Sequence, residues 1–189
     1  MITKQKMCSF TGHRPNKLQF GYDENHEDSI NLKLRLAAAI EEMRGKGVTT
    51  FLSGMALGTD IWCAEIVLDL RRAYPEDVIR LVAVLPHENQ SDNWSEKYRE
   101  RYFDILARCD DVIMLQAHYT KDCIFKRNRY LVDSSAHVIA VYNGKKGGTQ
   151  YTVNYAINKG LDLIIIDPDT VKREELKQQK DTKGMVRLR

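Results

Sequence analysis

The sequence predicts an α/β fold: a Rossmann-like, doubly wound and mainly parallel sheet of about six strands, with helices on both faces. Short apolar runs alternate along the chain with segments whose apolar residues recur at spacings of three and four, as in strands alternating with amphipathic helices. The run 79–85 is apolar almost without interruption, as a strand covered on both faces requires. Right-handed connections between such strands give the doubly wound arrangement.

The individual elements follow from this alternation and from the residues that interrupt it. Gly45 and Gly47 end the first helix, and Pro75 stops the second. Strands are expected at 7–10, 49–52, 79–85, 112–115, 137–142 and 161–166. Helices are expected at 29–46, 60–74, 94–108, 121–134 and 149–159.

Length and charge predict one domain followed by a short tail. The chain has 189 residues, of which 43% are hydrophobic, so residues 1–170 can form one domain with a sizeable core. Residues 171–189 form a basic polar tail with seven Lys or Arg and three Asp or Glu. Because the whole chain has a net charge of +3, the domain itself is close to neutral, unlike a protein that coats nucleic acid.

Several classes of protein and site do not fit the sequence. It has neither a run of membrane-spanning length nor a secretory signal, so we expect a cytoplasmic protein with no membrane partner. The four cysteines are widely spaced and form no CxxC pair, which indicates reduced thiols rather than a zinc site or a disulfide framework. The five histidines form no metal-binding motif, and we expect no metal site.

Polar and glycine-rich loops follow the predicted strands, and the ligands of such sheets bind at the carboxyl ends of the strands. Two of these loops run directly into helices, where unpaired N–H groups and the helix dipole favour an anion. The sequence therefore predicts a nucleotide site with two phosphate-type positions. The alternative is that these glycines only make tight strand–helix turns. The residues of the predicted site in these loops are Thr11, Gly12, His13, Arg14, Ser53, Gly54, Gly58, Thr59, Asp60, Gly147, Gly148 and Thr149.

Common nucleotide-binding motifs are missing. The sequence has no GxGxxG fingerprint and no GxxxxGK[ST] P-loop. The segment Gly54 to Gly58 has the wrong spacing for a P-loop and no lysine. The expected ligand is therefore a nucleoside phosphate or an NAD- or ADP-ribose-like compound bound in some other way, with no cofactor assigned.

A set of motifs resembles the YpsA-like branch of the SLOG superfamily, which groups DprA/Smf DNA-processing proteins with LOG-type phosphoribohydrolases. The resemblance spans about residues 7–168 and implies a Rossmann-like fold, a nucleotide-derived ligand and, because related folds often pair, a homodimer. The residues that carry it are Cys8-Ser-Phe-Thr-Gly-His-Arg-Pro15, Ser53-Gly-Met-Ala-Leu-Gly-Thr-Asp60, Trp62, Glu65, Trp94, Arg127-Asn128 and Gly147-Gly148-Thr149.

The resemblance to LOG enzymes implies a catalytic Arg and Glu acting on an N-glycosidic bond. Arg127 matches the Arg, whereas Asn128 stands where Lys is usual and Thr152 where the Glu is expected. A threonine cannot supply carboxylate acid–base chemistry, so hydrolysis by that mechanism is doubtful.

Other side chains offer further roles, each with a structural alternative. Asp60 and Glu65 are the remaining candidate catalytic residues beside Arg127, although a helix cap and a salt-bridged helix residue explain them equally well. Glu88 lies on a predicted loop at the same edge, where it is either a further candidate carboxylate or simply an exposed loop charge. Trp94 could stack on a base or pack in the core.

Three functions stay open on the sequence alone. The first is a binding protein for a small-molecule nucleotide, and the second is a LOG-like nucleoside-phosphate hydrolase. The third is DprA-like binding of single-stranded DNA, which the basic and aromatic segment 119–130 favours and the neutral domain disfavours. We favour the first.

Overall fold

The computed structural model describes residues 3–169. Two short 3-10 helices, Lys4–Lys6 and Pro15–Lys17, flank the first strand. The strands are β1 (Met7–Gly12), β2 (Thr50–Ser53), β3 (Arg80–Leu85), β4 (Asp111–Met114), β5 (His137–Val141) and β6 (Asp162–Ile166). The helices are α1 (Glu27–Gly45), α2 (Thr59–Ala73), α3 (Glu96–Ala107), α4 (Cys123–Ser134) and α5 (Gly148–Asn158).

The six strands form one parallel sheet in the order β4-β3-β2-β1-β5-β6. Helices α1 and α2 pack together, as do α4 and α5 on the other face. The predicted α/β, Rossmann-like, doubly wound class is therefore confirmed. The strand order changes direction between β1 and β5, and such a switch point opens a crevice at the carboxyl ends of the strands.

The core lies on both faces of the sheet, as the nearly continuous apolar run in β3 predicts. Leu81, Ala83 and Leu85 belong to the larger cluster, under α1, α2 and α3. Val82 and Val84 belong to a smaller cluster that includes Leu131 of α4. This alternation follows from the two-residue period of a strand.

Three element boundaries differ from the sequence prediction in ways that matter for the site. Strand β1 continues through Thr11 and Gly12, because both residues pair with β5. Helix α3 begins after its N-cap Ser95, so Trp94 lies in the preceding loop rather than on the helix. Helix α4 begins at Cys123, with Asp122 as its N-cap.

Two of the predictions concern features that the sequence lacks, and one concerns residues outside the described part of the chain. None of the helices within residues 3–169 is long and apolar enough to cross a membrane. The same part of the chain holds no group of three or more His, Cys, Asp or Glu side chains placed to bind a metal ion. The predicted tail, residues 171–189, lies outside the described residues.

Candidate functional site

A cleft of about 630 Å³ lies at the carboxyl ends of β1 and β5, and we call it the switch-point cleft. Loops from both strands, the start of α5 and one face of α4 line it. Of the residues predicted from the sequence, those that line it are Thr11, Gly12, His13, Arg14, Asp60, Arg127, Asn128, Gly147, Gly148 and Thr149. Those that do not line it are Ser53, Gly54, Gly58, Thr59, Glu65 and Trp94.

The first turn of α5 is open toward this cleft. Gly147 is the N-cap with φ 152°, a backbone conformation that favours glycine, and no side chain caps the helix. Both Gly147 and Gly148 are exposed, and a Cβ atom on Gly148 would meet no atom within 4 Å. The unpaired N–H groups of a first turn are a binding site for an anion when they are uncovered in this way.

Exposed cations surround the mouth of the cleft. Arg14, Lys17, Lys145 and Lys146 line it, and no ion pair with an acidic group involves any of them in the described part of the chain. The two lysines were missed as site residues, although their position immediately before Gly147 and Gly148 was the available signal. Unpaired cations beside an open helix start raise the local preference for phosphate.

Arg127 and Asp60 form a buried ion pair at the inner wall of the cleft. Arg127 Nη1 donates to Asp60 Oδ2 at 2.8 Å, and the two residues are 4% and 6% exposed. The Asp60 carboxylate also accepts from the Ala56 N–H at 3.3 Å. Arg127 Nε is buried and has no hydrogen-bond partner among the described residues. The pair therefore cancels its own charge and leaves a buried guanidinium donor, Nε, without a partner among the described residues.

Gly54 makes room for this pair. A Cβ atom at that position would lie 1.2 Å from Arg127 Nη1, so no other residue fits while the guanidinium stays in place. The neighbouring Ser53 hydroxyl donates to the Asp60 carbonyl at 2.9 Å and accepts from the Met55 N–H at 3.1 Å. Ser53 and Gly54 thus position Asp60 and Arg127 from behind the cleft wall.

The start of α2 is covered by the loop that follows β1. Gly58 has φ 92°, and a Cβ atom there would lie 2.8 Å from Pro15 Cδ. A Cβ atom on Gly12 would lie 2.3 Å from Thr59 Oγ1, and the Thr59 hydroxyl donates to the His13 carbonyl at 3.2 Å. These glycines let two loops of the protein approach each other, so this helix start is filled by the chain itself.

Side-chain hydrogen bonds tie the elements around the cleft together. His13 Nε2 and Asn143 Oδ1 are 2.9 Å apart and join the loops after β1 and β5. Asn128 Nδ2 donates to Thr152 Oγ1 at 2.9 Å, and that hydroxyl donates to the Gly148 carbonyl at 3.0 Å. Because Thr152 is 2% exposed, it supports the first turn of α5 from below and does not reach the cleft surface.

Glu65 lies in an ion-pair cluster away from the cleft. Arg101 Nε donates to Glu65 Oε1 at 2.6 Å, and Arg101 also pairs with Glu24, which in turn pairs with Lys33. Although partial burial opposes it, hydrogen bonds from Arg101 and Lys33 lower the pKa of Glu24 to about 2. Glu65 is therefore a salt-bridged helix residue, the structural alternative to its catalytic role.

None of the four cysteines lines the switch-point cleft. Cys8, Cys63 and Cys123 are buried free thiols, and Cys109 is half-buried. Burial raises the pKa of Cys63 well above its usual range, and burial raises the pKa of Cys109 to about 11. Cys63 and Cys109 are therefore protonated at neutral pH, whereas the thiolate is the reactive form.

Trp94 lines a second cleft of about 850 Å³, which we call the aromatic cleft. It adjoins the switch-point cleft, and four residues line both: Arg14, Asn16, Ala56 and Ile124. Glu88 is exposed on a loop beside it, with its N–H donating to the Ala117 carbonyl at 3.2 Å.

Sequence comparisons find relatives over most of the chain. The YpsA family model, described as the YspA SLOG family, matches residues 8–171. A UPF0398 protein of Bacillus pumilus is 31% identical over 159 residues, covering 81% of this chain and 82% of the relative. The SPbeta prophage-derived protein YoqJ of Bacillus subtilis is 32% identical over 143 residues, covering 67% of this chain and 81% of YoqJ.

Solved structures of DNA processing protein A (DprA) share the fold. The Streptococcus pneumoniae protein matches with a TM-score of 0.57 and 16% identity, over 93% of this chain and 57% of DprA. The Helicobacter pylori protein, whose structure addresses its single-stranded DNA binding mode, matches with a TM-score of 0.57 and 17% identity. That match covers 87% of this chain and 66% of the other, so this chain spans less than two thirds of either DprA.

Proposed function

Since the chain belongs to the YspA SLOG family, we propose that it binds a nucleoside phosphate or a nucleotide derivative in the switch-point cleft. The phosphate lies over the first turn of α5, with Gly148 and Thr149 as backbone donors. The observation that carries the proposal is the open helix start between Lys145, Lys146 and Arg14.

A second observation supports a ligand at this position independently of the helix start. Arg127 is 4% exposed, lines the cleft and keeps Nε without a partner among residues 3–169. Buried donors without partners are rare, and one that lines a cleft is explained when a ligand, ion or water completes its hydrogen bonding. Because Asp60 already neutralises the charge of Arg127, Arg127 acts as a positioning residue. The exposed cations at the cleft mouth neutralise the charge of the phosphate.

We infer binding without efficient cleavage of an N-glycosidic bond. Asp60 is the one acidic side chain in the cleft lining within the described residues, and it is held by Arg127. Thr152 lies below the surface, and Glu65 pairs with Arg101. The LOG mechanism needs a carboxylate free to assist a positively charged ribose, and these positions do not supply one. Release of free base from AMP by the wild-type protein would contradict this inference.

The binding proposal is tested by thermal unfolding with AMP, ADP and adenosine. A ligand at about 100 times its Kd adds about 2.7 kcal/mol, which raises the midpoint of a domain of this size by roughly 5–10 °C. We expect AMP and ADP to raise the midpoint and adenosine, which has no phosphate, to leave it nearly unchanged. Equal shifts with all three compounds, or none, would overturn the phosphate site.

A single-stranded oligodeoxynucleotide is the comparison ligand for the nucleic-acid alternative. The fold is shared with DprA, and one cleft of this chain is lined by four cations that have no ion-pair partner among the described residues, Arg14, Lys17, Lys145 and Lys146. We therefore expect AMP to compete with the oligonucleotide for that cleft. Tight oligonucleotide binding that AMP does not displace would favour nucleic acid as the ligand instead.

A further inference from the structure

The aromatic cleft is a site that the proposed function does not use. Four aromatic residues line it: Tyr22, Trp94, Tyr98 and Tyr119. Its volume of about 850 Å³ and the 630 Å³ of the switch-point cleft both fall in the range of small-molecule sites. Because the two clefts share lining residues, one ligand can occupy both.

The aromatic rings of this cleft are partly uncovered. Tyr22 is 52% exposed and Tyr119 is 65% exposed. The rings of Tyr22 and Tyr98 are 5.8 Å apart, and Tyr119 meets His87 edge-on at 5.5 Å. Exposed aromatic faces around one cavity are suited to stack on a planar heterocycle.

Polar groups on the wall of the same cleft lack partners. His87 is 8% exposed, and its Nδ1 atom is buried with no hydrogen-bond partner among the described residues. Gln90 Oε1 is also buried and has no hydrogen-bond partner in this part of the chain, whereas Gln90 Nε2 donates to the Gly54 and Met55 carbonyls at 3.3 and 2.9 Å. Asn89, whose Nδ2 donates to Asp92 Oδ2 at 2.7 Å, and Asn93 add further amide groups of the kind that recognise the edge of a base.

Arg14 connects the two clefts. It is exposed, lines both cavities and has no acidic partner in the described chain. A guanidinium between a phosphate position and an aromatic cavity is suited to hold a bridging phosphate, because its planar fork matches phosphate oxygens.

We propose that the ligand consists of two nucleoside units joined through phosphate. One unit lies in the switch-point cleft, Arg14 holds the bridge, and the ring of the second unit lies in the aromatic cleft. This inference rests on the proposed function, because it extends the ligand of that site. The linkage is either a pyrophosphate, as in a free dinucleotide, or a phosphodiester, as in a nucleic-acid step.

The test compares one-unit and two-unit ligands by titration calorimetry. The probes are AMP, diadenosine 5′,5′-diphosphate for the pyrophosphate linkage, and the dinucleotide pApA for the phosphodiester linkage. We expect at least one two-unit ligand to bind roughly tenfold tighter than AMP, since stacking of one base contributes that much. The tighter of the two identifies the linkage.

Tyrosine variants locate the second unit. Tyr119→Ala and Tyr98→Ala should weaken the two-unit ligand roughly tenfold and change the Kd of AMP less than about twofold. Both tyrosines are at least partly exposed, so the variants are expected to fold. Tyr74→Ala is the matched control, because Tyr74 is 38% exposed at the opposite end of α2.

Trp94 gives a second, spectroscopic readout. The chain has two tryptophans, and Trp62 is 2% exposed, whereas Trp94 lines the aromatic cleft. The two-unit ligand should quench tryptophan fluorescence in the wild type and not in Trp94→Phe, and AMP should quench neither. If AMP binds but the two-unit ligands bind no tighter and quench nothing, this inference is wrong and the proposed function stands. If AMP does not bind either, both are wrong.

Discussion

Two glycine-rich loops lead from strands into helices in this fold, and they serve opposite purposes. Around the start of α2, a Cβ atom on Gly54, on Gly58 or on Gly12 at the end of β1 would meet another part of the protein. At the start of α5, Gly147 and Gly148 have no atom near the position of a Cβ. The missing side chain lets other parts of the chain approach the backbone in the first loop. In the second loop it leaves the backbone uncovered, so that a ligand can approach it.

We propose that this difference separates a loop that positions side chains from a loop that binds the ligand. We call the α2 start the packed loop and the α5 start the open loop. The packed loop holds Asp60 and Arg127 in a buried pair that forms the cleft wall. The first turn of α5, which follows the open loop, faces the cleft beside Lys145 and Lys146. The Thr152 hydroxyl supports this turn from below by donating to the Gly148 carbonyl. Substitutions in the packed loop should therefore change stability, and substitutions in the open loop should change ligand binding.

The largest expected effect is on the stability of the packed loop. Gly54→Ala places a Cβ atom 1.2 Å from the present position of Arg127 Nη1, which separates Arg127 from Asp60. Breaking a buried pair costs about 3–5 kcal/mol, so the free energy of unfolding in urea should fall by that amount. Gly148→Ala is the matched control and should change it by less than about 0.5 kcal/mol. Equal losses in both variants would remove the distinction between the loops.

The next effect is on binding at the open loop. Gly148→Asp places a carboxylate beside the proposed phosphate and repels it, while the open space around Gly148 leaves the fold intact. Loss of a charge-assisted hydrogen bond of this kind costs about 2 kcal/mol, or roughly thirtyfold in the Kd of AMP. Calorimetry measures the Kd, and unfolding in urea verifies that stability is retained. An unchanged Kd in the folded variant would rule out a phosphate at this loop.

A smaller loss is expected from the cations beside the open loop. The double variant Lys145→Ala/Lys146→Ala should weaken AMP roughly fivefold, because each exposed charge contributes up to about 1 kcal/mol. Salt should reduce the difference between variant and wild type, since the Debye length falls from about 10 Å at 0.1 M to about 3 Å at 1 M. Lys4→Ala/Lys6→Ala removes the same charge from the opposite edge of the sheet and should leave the Kd unchanged.

The smallest effect concerns the outer side of α2, where Glu65, Arg101 and Glu24 hold the helix of the packed loop. The pKa of Glu24 is lowered to about 2 in the folded protein, so its stabilising contribution is present above the ordinary carboxyl pKa of about 4.3. That contribution is lost as the pH falls toward 2. Glu24→Gln should lose about 0.5 kcal/mol near neutral pH and only a small part of that near pH 2. A constant difference across this range would argue against the ion pair as the cause.

Periodicity predicted most of the fold because burial imposes it. The near-continuous apolar run of β3 faces two clusters, and all six strands were expected close to where they lie. The end of β1 was missed, because the pairing of Thr11 and Gly12 with β5 depends on a strand more than a hundred residues away. Long-range pairing of this kind leaves no local signal at the strand end.

The site was predicted less completely, because residue type does not reveal what covers a residue. Glycine spacing indicated both helix starts but could not distinguish the packed loop from the open one. Arg127 was matched through resemblance, yet its pairing with Asp60, 67 positions away, appears only in three dimensions. Lys145 and Lys146 stood beside Gly147 in the sequence, and only their common position at the cleft mouth makes them site residues.

We propose that phosphate binds at the open loop and not at the packed loop. The most direct test is a titration of the isotopically labelled protein with AMP, following the backbone amide signals of both helix starts by NMR. We expect the Gly148 and Thr149 amides to shift and saturate with one Kd, while the Thr59 and Asp60 amides stay nearly unchanged. Saturating shifts at Thr59 and Asp60 with none at Gly148 and Thr149 would contradict it.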